Sequence, residues 1–273
     1  MRVRVLSVFC CLLPAAGWAP LPPRPPRTVL LHNMWDQQVP YDEALAWQRS
    51  LRQERLDALK AGAPPPPDVL LLMQHPPVLT LGTSSTADNM RSAAPPFPVV
   101  RTERGGEVTY HGPGQLVLYP LLDLRGYAQD VRWYMGALEE VAIRTCASLG
   151  LRAVREPGLT GVWVDGAKVC AMGVKISRWL TMHGLSLNVC PDLSHFGHIV
   201  PCGLEEREVT SLHELLGGAG RAAGARAAAA ELVDVQRVLL RHFADVFDVR
   251  LLDTSREKSP VARSSGAAMR LRA

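Results

Sequence analysis

No acidic residue precedes Asp36, no two cysteines stand in Cys-x-x-Cys spacing, and no apolar run is long enough to cross a bilayer as a helix. Each absence removes a class of function. The six cysteines (Cys10, Cys11, Cys146, Cys170, Cys190 and Cys202) lack the spacing of a structural zinc site. The chain has 273 residues, enough for its own hydrophobic core and too many for a small disulfide-stapled scaffold. The acid-free leader carries Arg2, Arg4, Arg24 and Arg27, an apolar patch from Val5 to Leu13, and five prolines between Pro20 and Pro26. That composition reads as a removable targeting segment over residues 1–28, of the organelle-import kind. Positive charge is confined to the ends. The residues before Asp36 contribute +4 and those from Thr254 to Ala273 another +4, so a formal net charge of +4 leaves the body between them at −4. A nucleic-acid partner loses its electrostatic footprint, and the chain shows no internal repeat.

What is present alternates strand and helix. Tyr41 to Lys60 places Ala44, Trp47 and Leu51 on one stripe and reads as an amphipathic helix, followed by a linker from Ala61 to Pro67. Val69-Leu70-Leu71-Leu72-Met73 is apolar throughout, as a strand buried on both faces requires, and Val78 to Leu81 follows it. Residues 93–98 read as a loop, Leu116 to Tyr119 as a strand, and 132–149 as a helix with Cys146 on its buried side. Val162 to Val164, Asp165-Gly166 and Ala167 to Val174 form the clearest hairpin signal. A strand from Met182 to Val189 and a long helix from Ala227 to Phe247 complete a domain over 29–253; residues 254–273 read as a disordered basic tail.

The densest chemistry lies in Arg104-Gly105-Gly106-Glu107-Val108-Thr109-Tyr110-His111-Gly112-Pro113-Gly114-Gln115. Four glycines in twelve residues describe backbone able to close on a ligand, although a bulged hairpin has the same composition. A Walker loop would need Gly-Lys-Ser/Thr here, and a dinucleotide fingerprint would need a helix after it; strand-like residues flank this run on both sides.

Two cysteines compete as nucleophile. Cys202 sits between Pro201 and Gly203, a rigid and open framing. Lys168 lies in an otherwise apolar strand where a lysine must face water or have a buried task. Period-two alternation puts Lys168, Cys170 and Met172 on one face, which makes Cys170 the rival. An ammonium about 4 Å from a thiol, at an effective dielectric of about 20, favours the thiolate by up to roughly 4 kcal/mol before desolvation. His111 and His183 each precede a glycine and could approach a substrate. His195-x-x-His198 lacks a third ligand at helical spacing, so no metal is expected.

Four segments in series resemble the lipoyl(octanoyl) transferases: Arg104 to Gln115; Gly161 to Gly173; His183-Gly184-Leu185-Ser186-Leu187-Asn188; and Ile199-Val200-Pro201-Cys202-Gly203. The resemblance covers about residues 29–215 and is most like the plastid type of plants and algae, which favours a chloroplast over a mitochondrion. It leaves the Ala-rich C-terminal helix and tail outside. It implies an α+β fold, a mixed sheet with flanking helices like the biotin and lipoate protein ligase catalytic domain. It implies transfer of an octanoyl group from octanoyl-acyl carrier protein to a lysine of lipoyl domains, those of 2-oxoacid dehydrogenase E2 subunits and the glycine cleavage H protein. It implies no cofactor, and a monomer is expected. Cys202 would form the acyl thioester and Lys168 would lower its pKa. Arg104 to His111, Ala171, Met172, Gly173, Gly184, Leu185 and Ser186 would line the substrate. Three other functions share parts of this pattern: an ATP-dependent lipoate or biotin ligase, a non-catalytic module that binds acyl carriers or lipoyl domains, and a cysteine hydrolase.

Overall fold

Every residue of strand β2 (Asp68–Gln74) is buried, because the strand lies inside a sheet covered on both faces. The structure, a computed structural model, describes residues 19–22, 25–92, 94–200, 208–217 and 225–254. Of the leader read at 1–28 only 19–22 and 25–28 are described, with Arg27 and Thr28 opening a strand, and of the tail at 254–273 only Thr254; Cys202 lies outside the described residues.

Beside β2 the sheet contains β1 (Arg27–Gln38), β6 (Gln115–Leu121), β7 (Val162–Val164), β8 (Ala167–Ser177), β9 (Leu180–Asn188) and β10 (Val249–Asp253), in the order β10-β1-β2-β6-β9-β8-β7. The β10–β1 and β1–β2 pairs are parallel and the rest antiparallel. A smaller sheet, β4-β3-β5, joins β3 (Val78–Leu81), β4 (Val99–Arg101) and β5 (Val108–His111). The fold is α+β, as expected from the resemblance.

Alternation along the central strands divides the core in two. Leu70, Leu72, Leu116 and Leu118 face helices α2 (Val131–Ser148) and α4 (Ala225–Phe247), which bring Leu138, Val141, Leu239 and Phe243. Val69, Leu71, Met73, Val117 and Tyr119 face α1 (Tyr41–Lys60), which brings Ala44 and Trp47. α2 starts where the Asp130 carboxylate accepts the N–H groups of Arg132 and Trp133, a cap of a kind that contributes about 1 kcal/mol. A short helix, α3 (Leu212–Leu215), precedes α4. The Asp68 carboxylate at the start of β2 is buried and held by Arg55, the Asp123 N–H and the Tyr127 hydroxyl. Arg27 lies farther from the same carboxylate, at 3.7 Å, so loss of Arg55 would leave the buried charge only this partly exposed cation.

The sequence places α1 at its observed bounds, and Asp165 (φ 48°) and Gly166 (φ 82°) form the expected left-handed turn between β7 and β8. β8 departs from simple alternation. Val162 pairs with Cys170 but Trp163 with Lys168, so a bulge at this point shifts the register.

Candidate functional site

A cavity of about 390 Å³ lies where the edge of the small sheet meets β8 and β9. This is the low end of the range for small-molecule sites. Its walls come from separate parts of the chain: the loop and strand from Arg104 to Thr109, His111, Lys168 with 171–174 of β8, 183–186 of β9, and the segment Gly158-Leu159-Thr160. Tyr41 at the start of α1, Val131 and Met135 of α2, and Val117 and Tyr119 of β6 complete much of the rest.

The glycine-rich loop is fastened to both sheets. The Gly105 N–H donates to the Val174 carbonyl (2.9 Å). Arg104, 6% exposed, donates through Nη2 to the Thr80 carbonyl (2.6 Å) and Oγ1 (2.8 Å) and through Nη1 to the Gly105 carbonyl. Much of its hydrogen-bonding capacity thus locks the loop to β3. Close approach explains two glycines. A Cβ on Gly82 would sit 2.1 Å from the Gly106 carbonyl oxygen, and one on Gly173 would meet the Gly105 carbonyl oxygen at 2.9 Å. Glu107 accepts a hydrogen bond from Asn89.

All the candidate substrate-contacting residues line the cavity except Tyr110. Its hydroxyl shares a 2.7 Å hydrogen bond with His195 Nδ1, and its ring packs on Phe97 and Phe196 in a separate cluster under the small sheet. His195 is thereby engaged in packing, and no group of His, Cys, Asp and Glu able to hold a metal occurs among the described residues.

Lys168 also lines the cavity. It is 6% exposed, and its ammonium lies 4.6 Å from the centroid of the Trp163 ring. Cation–π contact of this kind helps to keep a charge inside the fold. Its N–H donates to the Glu208 carbonyl, and its own carbonyl accepts from the Thr210 N–H. Cys170 does not share that setting. The bulge turns it into the main core, fully buried among residues such as Leu187 and Val162, and burial raises its thiol well above the usual range. The rival nucleophile of the sequence reading therefore sits in the core and not on the cavity wall.

One end of the cavity gathers buried, uncharged rings beside the Arg104 guanidinium. His111 stacks on Tyr41 and bonds Gln115 through Nδ1. Burial, reinforced by His75 and Arg104, holds its pKa well below the ordinary histidine value. Behind it His75 is fully buried: Nδ1–H donates to the Val39 carbonyl and Nε2 accepts from the Tyr119 hydroxyl, with burial lowering its pKa to about 4. Burial also raises Tyr41 to about 12 and lowers His183 to about 4. The sequence reading leaves out Tyr41, His75 and Tyr119. Each lies in an ordinary amphipathic or strand pattern, and no local signal marks their convergence.

Comparison with known proteins agrees with this architecture. A family model described as the lipoyl protein ligase A/B catalytic domain matches residues 40–244. The match takes in most of α4, which the sequence resemblance left outside. An octanoyltransferase of Nostoc sp. is 45% identical over 232 residues, covering 84% of this chain and 97% of that protein. The chloroplastic octanoyltransferase LIP2p2 of Arabidopsis thaliana is 42% identical over 230 residues, covering 83% and 81%. Among solved structures, P. falciparum LipL1 in complex with lipoate superposes with a TM-score of 0.59 at 12% identity, covering 84% of this chain and 66% of that one, a likeness of fold.

Proposed function

Because the chain belongs to the lipoyl protein ligase A/B catalytic-domain family, and within it to the octanoyltransferases, we propose that this acyltransferase carries an octanoyl group from octanoyl-acyl carrier protein to a lysine of lipoyl domains through a thioester on Cys202. The observation that carries the proposal is the buried Lys168 on the cavity wall. Its backbone is bonded to Glu208 and Thr210, which directly follow the segment containing Cys202, and Phe196 and Val209, on either side of that segment in sequence, both line the cavity.

The reaction balances without ATP. The Cys202 thiolate attacks the carrier's thioester carbonyl; a new C–S bond forms, the old one breaks, and the departing pantetheine sulfur takes a proton from the Lys168 ammonium. The amine of the acceptor lysine then attacks the Cys202 thioester. Its surplus proton returns to Lys168 as the amide forms, and Cys202 leaves as the thiolate. Exchange of one thioester for another is nearly neutral, and conversion of a thioester to an amide runs downhill. The acyl chain lies along 171–173 and 184–186, under the loop from Arg104 to His111. The acceptors are the lipoyl domains of 2-oxoacid dehydrogenases and the glycine cleavage H protein, and the compartment is the chloroplast.

Cys202→Ser abolishes transfer from octanoyl-carrier protein if this reading holds, whereas full activity in that variant rejects it. A second reading comes from the fold shared with a lipoate-protein ligase A solved with bound ATP. In that case free octanoate plus ATP would replace the carrier thioester as donor, with no dependence on Cys202.

A further inference from the structure

The first described residues lie on the fold rather than beside it. Trp133, 7% exposed near the start of α2, donates its Nε1–H to the Ala19 carbonyl (2.9 Å). Leu21 is half-buried against the main core. Arg27 reaches the Asp68 carboxylate (3.7 Å), its guanidinium lies 5.3 Å from the centroid of the Tyr127 ring, and a Cβ on Gly126 would stand 2.3 Å from that guanidinium. The Tyr127 and Trp133 rings stack on each other, so the Ala19 and Arg27 contacts meet on one aromatic pair. Arg27 and Thr28 also supply two of the five register pairs between β1 and β10, with Val249 and Arg250, and the Arg250 side chain donates to the Thr28 hydroxyl (3.2 Å).

Composition suits this docking. Pro20, Pro22, Pro23, Pro25 and Pro26 have fixed φ and no N–H to leave unpaired, so a chain of this kind loses little entropy when it settles on a surface. A cut after residue 28 would strip the Tyr127–Trp133 pair of its cover, take one cation from Asp68 and shorten the β1–β10 ladder. We propose that residues 19–28 belong to the catalytic domain as a brace across the start of α2 and the edge of the large sheet, and that proteolytic removal of the leader takes place before Ala19. The brace serves the site as well as the fold. Val131 and Met135, which flank Trp133 in the first turns of α2, both line the cavity. The composition that marks 1–28 as one leader therefore joins two parts: an acid-free address before Ala19, with Arg2 and Arg4, and a proline-rich brace after it, in which Arg27 is an ion-pair partner. The brace is independent of the chemistry assigned to Cys202 and Lys168.

Two measurements test the proposal. Mass spectrometry of the N-terminal peptide of the protein isolated from the cells that make it finds a chain that starts at Ala19 or at a residue before it. A first residue anywhere after Ala19 overturns the proposal. In the full chain, Leu21→Ser combined with Arg27→Gln lowers the calorimetric midpoint by about 4 °C, through lost apolar burial and a lost cation beside Asp68. A fall of less than about 2 °C shows that these residues do not brace the fold and overturns the proposal equally, wherever the chain begins.

Discussion

Gly173→Ala should weaken the molecule and its site together. The added Cβ would lie 2.9 Å from the Gly105 carbonyl oxygen and 3.0 Å from Arg104 Cδ. Comfortable non-bonded contact needs about 3.5 Å, so the loop must retreat by roughly half an ångström. Retreat acts on the Gly105 N–H bond to Val174 (2.9 Å) and on the Arg104 bonds to Thr80 (2.6 and 2.8 Å). Overpacking costs about 1–3 kcal/mol and one weakened hydrogen bond about 1 kcal/mol, which puts the loss near 2 kcal/mol. For a domain of this size that lowers the thermal midpoint by about 4–8 °C. Because Arg104, Gly105 and Gly106 form a cavity wall, KM for the acyl donor rises alongside. Calorimetry and steady-state transfer assays on Gly173→Ala measure both, with Gly197→Ala as control, since a Cβ there meets nothing within 4 Å. A midpoint within 1 °C of the unsubstituted protein and an unchanged KM would show that the loop does not rest on Gly173.

Acid should act through the buried histidines. His75 and His183 have pKa values of about 4 in the fold against an ordinary 6.5, so the unfolded chain binds protons first as pH falls. Their stabilisation is fully present above pH 6.5 and declines toward pH 4, by about 3 kcal/mol for each histidine. Urea midpoints from pH 8 to pH 5, above most carboxylate titration, report it: a flat profile refutes the assignment, and His75→Gln should shallow the slope. Cys170→Ala should retain octanoyl transfer while costing about 1–2 kcal/mol of stability from the core; loss of transfer in a folded variant would return Cys170 to the list of nucleophiles.

Sequence pattern goes furthest where the physics is local. The α1 stripe, the wholly apolar β2 and the Asp165-Gly166 turn each state their geometry within a few residues. It stops where position depends on distant partners. β1 and β10 pair in parallel at one edge of the sheet from opposite ends of the chain, and neither segment advertises the other. The expected shared face of Lys168 and Cys170 rests on a regular strand; the bulge separates them, and its signal is the register against β7 rather than any residue in β8. Tyr110 alternates correctly with Thr109 and His111 and for that reason points away from the cavity. The glycine-rich loop is legible as a site from its composition, but the ring cluster of Tyr41, His111 and Tyr119, backed by His75, exists only after α1, β5 and β6 meet at the end of β2.

The most direct test mixes the protein with octanoyl-carrier protein in the absence of acceptor, quenches in acid, and maps the octanoyl group by peptide mass spectrometry. The account predicts a thioester on the Cys202 peptide, formed tens of times more slowly in Lys168→Met, since about 2 kcal/mol of thiolate stabilisation is lost with the ammonium. An octanoyl group on any other peptide, or formation on Cys202 at full rate without the Lys168 amine, would contradict it.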